Sequence, residues 1–184
     1  MTQGSGWHQQ ATAVVLALPE LAAFTAPWRS TSYAPDEPCP SVERRLPPHV
    51  TVLAPFADPG DAPAIERLRA VAARHRPMDL WFRTVSQFGP GGAVWLVPEP
   101  EEQVMALVAD VVAAFPDHPP YGGLHGEPIP HLTVTVDGAD ATVAEVRAAL
   151  AEQGPLEVVV GELGLWQRDD DEAWRLVVAV PLGG

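Results

Sequence analysis

Pro48-His49-Val50-Thr51-Val52 and, further along the chain, Pro130-His131-Leu132-Thr133-Val134 are two versions of one pattern: a proline, a histidine, and a threonine two places on, with aliphatic residues between and after. Polar and aliphatic residues that alternate with period two mark a strand with one face buried. Each histidine therefore shares a face with its threonine. Val50 and Val52 in the first copy, and Leu132, Val134 and Val136 in the second, fill the core behind.

Working outward, both stretches head the same succession of elements. The first is followed by a helical pattern at 62–74, with Ile65, Leu68 and Val71 or Ala72 at three- or four-residue spacing. Pro77, a strand at 79–88, the turn Gly89-Pro90-Gly91-Gly92 and a strand at 93–97 come next. The second is followed by a helical pattern at 141–151 carrying Val143, Val146 and Leu150. Pro155, a strand at 156–166, an acidic turn at 169–172 and a strand at 173–180 complete it. The intervals from His49 to Pro77 and from His131 to Pro155 differ by only a few residues, as a diverged duplication would leave them. Residues 12–18 read as an opening strand, 20–28 as a short helix and 30–48 as a long loop. A helix at 101–114 aligns Val104, Leu107, Val108 and Val111 on one face. Strand-turn-strand endings require antiparallel pairs, so the predicted class is α+β: two lobes about a pseudo-twofold axis, antiparallel sheets flanking a central cleft, helices outside. One domain spanning 1–184 is expected, with residues 1–10 a disordered lead.

Composition limits what such a chain does. Of its 184 residues 47% are hydrophobic and 19% charged, which excludes disordered and fibrous classes. No apolar run reaches the roughly 20 residues of a membrane span, and the N-terminus lacks the basic start of a signal peptide, so a cytoplasmic monomer away from membranes is expected. Cys39, the lone cysteine, sits among prolines and reads as a loop residue. The net charge is −13, and all eleven basic residues are arginines, which argues against binding duplex nucleic acid and favours a small substrate met by local cations.

Two imidazoles facing each other across a small cleft suit phosphoryl transfer. A neutral histidine takes a proton from the attacking oxygen, and a protonated one gives a proton to the leaving oxygen. Histidine, with a pKa of about 6.5, has both forms within reach near neutrality. Each threonine hydroxyl can donate to a non-bridging phosphate oxygen. The predicted catalytic set is thus His49, Thr51, His131 and Thr133, and the scheme needs neither metal nor cofactor. Which histidine is acid and which base stays open, because the repeat makes them equivalent.

The paired His-x-Thr-x motifs resemble those of the 2H phosphoesterase superfamily, most closely its bacterial 2′-5′ RNA ligase-like branch. The likeness covers nearly the whole chain. It includes the leading strand, the run Pro47-Pro48-His49-Val50-Thr51-Val52-Leu53-Ala54-Pro55-Phe56, the loop Pro119-Pro120-Tyr121-Gly122-Gly123 and the closing Pro181-Leu182. The resemblance implies a bilobal α+β fold and metal-independent chemistry on 2′,3′-cyclic phosphates, 2′-5′ linkages or related phosphodiesters of a small nucleotide or RNA end. RNA ligation and turnover-free binding of a phosphorylated ligand are the other readings.

Several RNA-processing members of that family place a basic residue shortly after the second motif, where this chain reads Val134-Thr135-Val136-Asp137-Gly138. Phosphate charge must then be met from elsewhere. Arg44 and Arg45, just before the first motif, are the first candidates, ahead of Arg83, Arg168 and Arg175. Tyr121 offers a face on which a base could stack, or else anchors its loop. His125 reads as an exposed loop residue, Trp95 and Trp174 as packing residues, and the 169–172 tract as a solvated turn without calcium-loop spacing.

Overall fold

Thr12–Ala17 (β1) is buried along almost its whole length, as an interior strand must be. A short turn at Pro19–Leu21 leads into the helix Ala22–Arg29 (α1), and His49–Leu53 (β2) shows the alternating burial its sequence predicts. The helix Ala62–Ala72 (α2) begins at Asp61, whose carboxylate accepts from the Ala64 amide at 3.0 Å and satisfies one of the orphan donors of the first turn. Met78–Gln87 (β3) and Val94–Glu99 (β4) form a hairpin. Glu101–Ala114 (α3) opens with Glu101 and Glu102, favourably placed at the positive end of the helix dipole. Leu132–Thr135 (β5), Asp140–Gln153 (α4), Leu156–Val160 (β6), Glu162–Arg168 (β7) and Trp174–Pro181 (β8) complete the chain. This computed structural model describes residues 12–29, 45–124, 126–136, 138–169 and 173–183. Arg44, Cys39, His125, the 1–10 lead, most of the 30–48 loop and positions 170–172 of the acidic turn lie outside them.

The strands form one sheet in the order β6-β3-β4-β5-β2-β1-β7-β8, every pairing antiparallel. The sheets of the two lobes are thus halves of a continuous sheet, joined where Val50 of β2 pairs with Leu132 of β5. One face packs on the helices. Val50, Val52, Leu132 and Val134 join Leu68, Val71, Leu107, Val111, Val146 and Leu150 in a single buried cluster. Removing that much apolar surface from water is what holds the sheet and the helices together. His49, Thr51, His131 and Thr133 alternate with those residues and so occupy the opposite face, each half-buried.

Two expectations need correcting. The strand read at 156–166 is two strands parted at Gly161: β6 pairs with β3, whereas β7 pairs with β1 and β8. A run of β-branched and aliphatic residues looks the same whether or not the strand changes neighbours, so only the glycine marked the break. Because a single residue joins β6, at one end of the strand order, to β7 near the other, the sheet has to curl: neighbouring strands lie about 4.8 Å apart, and one residue spans only about 3.5 Å.

The frame of the repeat also moves. Counting outward from the β2–β5 pair, β1 matches β4 and β7 matches β3. The repeating unit is therefore β-α-β-α-β, starting at β1 and again at β4, one strand and one helix earlier than the motifs suggest. The β3–β4 hairpin straddles the boundary between the units, and β6 and β8 are additions at the two edges.

Candidate active site

Antiparallel register places the four motif residues. With Val50 opposite Leu132, His49 lies opposite Thr133 and Thr51 opposite His131. The two histidines are then diagonal neighbours, about 7–8 Å apart at their backbones, a spacing that admits a phosphate group between the rings.

Both imidazoles are tethered in the same way. His49 Nδ1 donates to the carbonyl of Pro47 at 2.7 Å, and His131 Nδ1 donates to that of Ile129 at 2.6 Å, in each case two residues upstream. A carbonyl oxygen only accepts, so Nδ1 carries the proton and Nε2 is left with a lone pair in the neutral ring. Burial pushes the His49 imidazole down to about 4. The Pro47 bond opposes that shift, while the Arg29 guanidinium and His131 reinforce it. His131 is lowered too, by burial against its bond to Ile129.

The two halves of the site differ in their surroundings. On the His131 side, Phe88 meets the imidazole edge-on with centroids 4.9 Å apart, Trp95 approaches it at 5.7 Å, and Phe88 stacks on Trp95 at 5.1 Å. Phe88, Tyr121, Gly126, Glu127, Pro128, Ile129 and His131 line a cavity of about 480 Å³. Tyr121 reaches both motifs: it lines that cavity with His131, and its hydroxyl hydrogen-bonds the side chain of Thr51. Burial raises the phenol above its ordinary value, and the Thr51 bond works the other way. Its amide donates to the carbonyl of Ala54 at 2.7 Å, and its φ of 52° is left-handed, a conformation rare for a residue with a side chain. Such strain persists only where the surroundings over-determine it, and it gathers at functional sites.

On the His49 side stand Arg29, from the last turn of α1, and Arg45; both line a smaller cavity with Pro47 and Pro48. Of the arginines weighed from sequence, Arg45 is therefore near the first motif. Arg83 instead pairs with Glu99 at 3.7 Å and lies over the Trp81 ring, and Arg175 pairs with Asp169 at 2.7 Å. Trp95, read as a packing residue, is indeed buried, but against His131. Arg29 and Phe88 escaped the sequence reading. Nothing local singles out an arginine at a helix end, whereas an aromatic beside the Gly89–Gly92 turn was a usable signal for Phe88. Among the described residues no three histidine, cysteine or carboxylate side chains gather as a metal site, and no helix is long and apolar enough to cross a membrane.

The sequence matches the 2′-5′ RNA ligase superfamily over residues 17–172. Among solved structures, the fold is similar to Escherichia coli LigT complexed with 3′-AMP, at 16% identity over 95% of this chain and 99% of that one, with a TM-score of 0.61. The complex of LigT with NADP+ gives 18% identity, 95% and 98% coverage and a TM-score of 0.58. TT0787 of Thermus thermophilus gives 17% identity over 95% and 98%, with a TM-score of 0.59. No curated protein matches the sequence.

Proposed function

The chain belongs to the 2′-5′ RNA ligase superfamily, and on that premise we propose that it is a metal-independent phosphodiesterase acting on a 2′,3′-cyclic phosphate, a 2′-5′ linkage or a related phosphodiester of a small nucleotide or RNA end. The observation that carries this reading is the matched tether of His49 and His131, which leaves each ring one nitrogen for proton transfer. One neutral Nε2 takes a proton from water as its oxygen attacks phosphorus. The other histidine, protonated, gives its proton to the ribose oxygen as the phosphorus–oxygen bond breaks, and the two rings then exchange protons with solvent. The hydroxyls of Thr51 and Thr133, opposite the histidines across the strand pair, serve the non-bridging oxygens, where charge builds up.

A nucleoside fits the His131 side, where Phe88 and Tyr121 line the 480 Å³ cavity and aromatic side chains accept bases readily. That LigT has been crystallised with 3′-AMP and NADP+ supports small nucleotides as the ligand class. Incubation with 2′,3′-cyclic AMP and a 2′-5′-linked dinucleotide in excess chelator, with products resolved by chromatography, tests the proposal. Turnover is expected to persist in chelator and to fall by about three orders of magnitude or more in His49→Ala and His131→Ala. Unimpaired turnover by either variant would refute the mechanism. The segment Val134-Thr135-Val136-Asp137-Gly138 has no basic residue, whereas several RNA-processing members of the family carry one shortly after the second motif, and this favours one second reading, a nucleotide-binding protein. Tight binding without product by the wild type would select it.

A further inference from the structure

The three residues before His49 are Leu46, Pro47 and Pro48. Prolines have no N–H to donate, so this approach segment is held through its carbonyls. All three are engaged: Leu46 O accepts from the Arg29 guanidinium, Pro47 O from His49 Nδ1 at 2.7 Å, and Pro48 O from the Leu18 amide at 2.7 Å. Arg29 comes from α1, half-buried, and lines one cavity with Leu46, Pro47 and Pro48. The second motif repeats the tether to the carbonyl two residues upstream, but its histidine is braced by the rings of Phe88 and Trp95.

We propose that Arg29 is the positioning residue of the first motif: it secures the row of carbonyls that aims the His49 imidazole and sets a permanent cation beside that ring. Together with burial, which acts most strongly on His49, this cation makes the two histidines of the duplicated motif unequal, His49 suited to accept the proton and His131 to deliver it. The catalytic half of this inference rests on the phosphodiesterase reading; the structural half does not. Charged and titratable groups around His49 are Arg29 from α1, His131 from β5, and Tyr121, which bonds Thr51 two residues on; Arg45, in the approach segment, lines the cavity beside Pro47 and Pro48. Glu20 and Glu162 line the neighbouring cavity with Arg45. The Arg29 cation acts on His49 in the same direction as burial.

Titration of the histidine Cε1–H resonances by NMR in the wild type, Arg29→Gln and Arg29→Lys tests the inference. In Arg29→Gln the His49 midpoint should rise by on the order of one pH unit while His131 moves less. The acid limb of kcat/KM on 2′,3′-cyclic AMP should follow it, with the loss falling on kcat more than on KM. In Arg29→Lys the charge remains, so the midpoint should stay low although the loosened Leu46 contact reduces kcat. An unchanged His49 midpoint in Arg29→Gln would reduce Arg29 to a structural contact and overturn the proposal. Should Arg29→Gln not fold, Arg29→Met takes its place: a rise of the His49 midpoint toward 6.5 supports the role and an unchanged midpoint overturns it. A midpoint that shifts as expected in a protein that turns over no cyclic nucleotide would uphold the positioning role and sink the phosphodiesterase reading alone.

Discussion

At the scale of single residues, the chemistry depends on which ring nitrogen is committed. Both Nδ1 atoms are bound to carbonyls, so neutral His49 and His131 present Nε2 lone pairs, and both rings are harder to protonate than a histidine in water. In a profile that needs one neutral and one protonated ring, kcat/KM should therefore peak on the acid side of 6.5. An optimum on the alkaline side of neutrality would contradict the assignment. The same shifts set a stability trend. Both rings bind protons more weakly folded than unfolded, so the unfolded chain takes up more protons as pH falls from about 6.5 toward about 4. Stability should decline across that window, and His49→Gln should flatten the decline above the carboxylate range. Urea midpoints measured at several pH values check it. At Tyr121 the hydroxyl is the informative part: Tyr121→Phe keeps the ring but frees Thr51, and should lower kcat/KM about tenfold for a loss of about 1 kcal/mol in stability. Loss of stability without loss of activity would make Tyr121 a loop anchor only.

At the scale of elements, the β3–β4 hairpin decides what surrounds His131. Its tip is docked on the segment after β5: Gly91 bridges Gly138, and Gln87 Nε2 donates to Gly92 O at 3.2 Å and Gly138 O at 2.7 Å. A Cβ on Gly138 would lie 1.9 Å from the Gly92 carbonyl oxygen, so the contact requires glycine there. Gly138→Ala should push the tip away, cost about 1–3 kcal/mol, and raise KM for nucleotides as Phe88 leaves the imidazole edge. Paired denaturation and kinetic measurements separate the two effects, and an unchanged KM would show that Phe88 has no part in binding. Most elements were legible from periodicity because their apolar faces are buried as the pattern demands: Val104, Leu107, Val108 and Val111 in α3, and Val143, Val146 and Leu150 in α4. The break at Gly161 was not, since β6 and β7 differ in their partners and not in their composition.

At the scale of the whole molecule, a net charge of −13 surrounds a site where Arg29 acts on His49 and aromatic rings lie against His131. Long-range repulsion slows the approach of anionic substrates, and salt screens it within about 10 Å at 0.1 M. The rate constant kcat/KM for a nucleotide substrate should therefore rise modestly with ionic strength; a steep fall would point to a cationic face that steers substrate in. From its residues alone the sequence determined the α+β class and the paired His-x-Thr strands, because alternation and periodicity are local consequences of covalent geometry. The resemblance of those motifs to a known family added that the basic residue several of its members carry shortly after the second motif is missing here. Only the tertiary structure decided what stands around those strands. The β2–β5 pairing sets each histidine opposite the other motif's threonine, α1 brings Arg29 to His49, and the hairpin brings Phe88 to His131. These are contacts between segments far apart in the chain. They depend on which strands become neighbours, and no local pattern of residues encodes that choice.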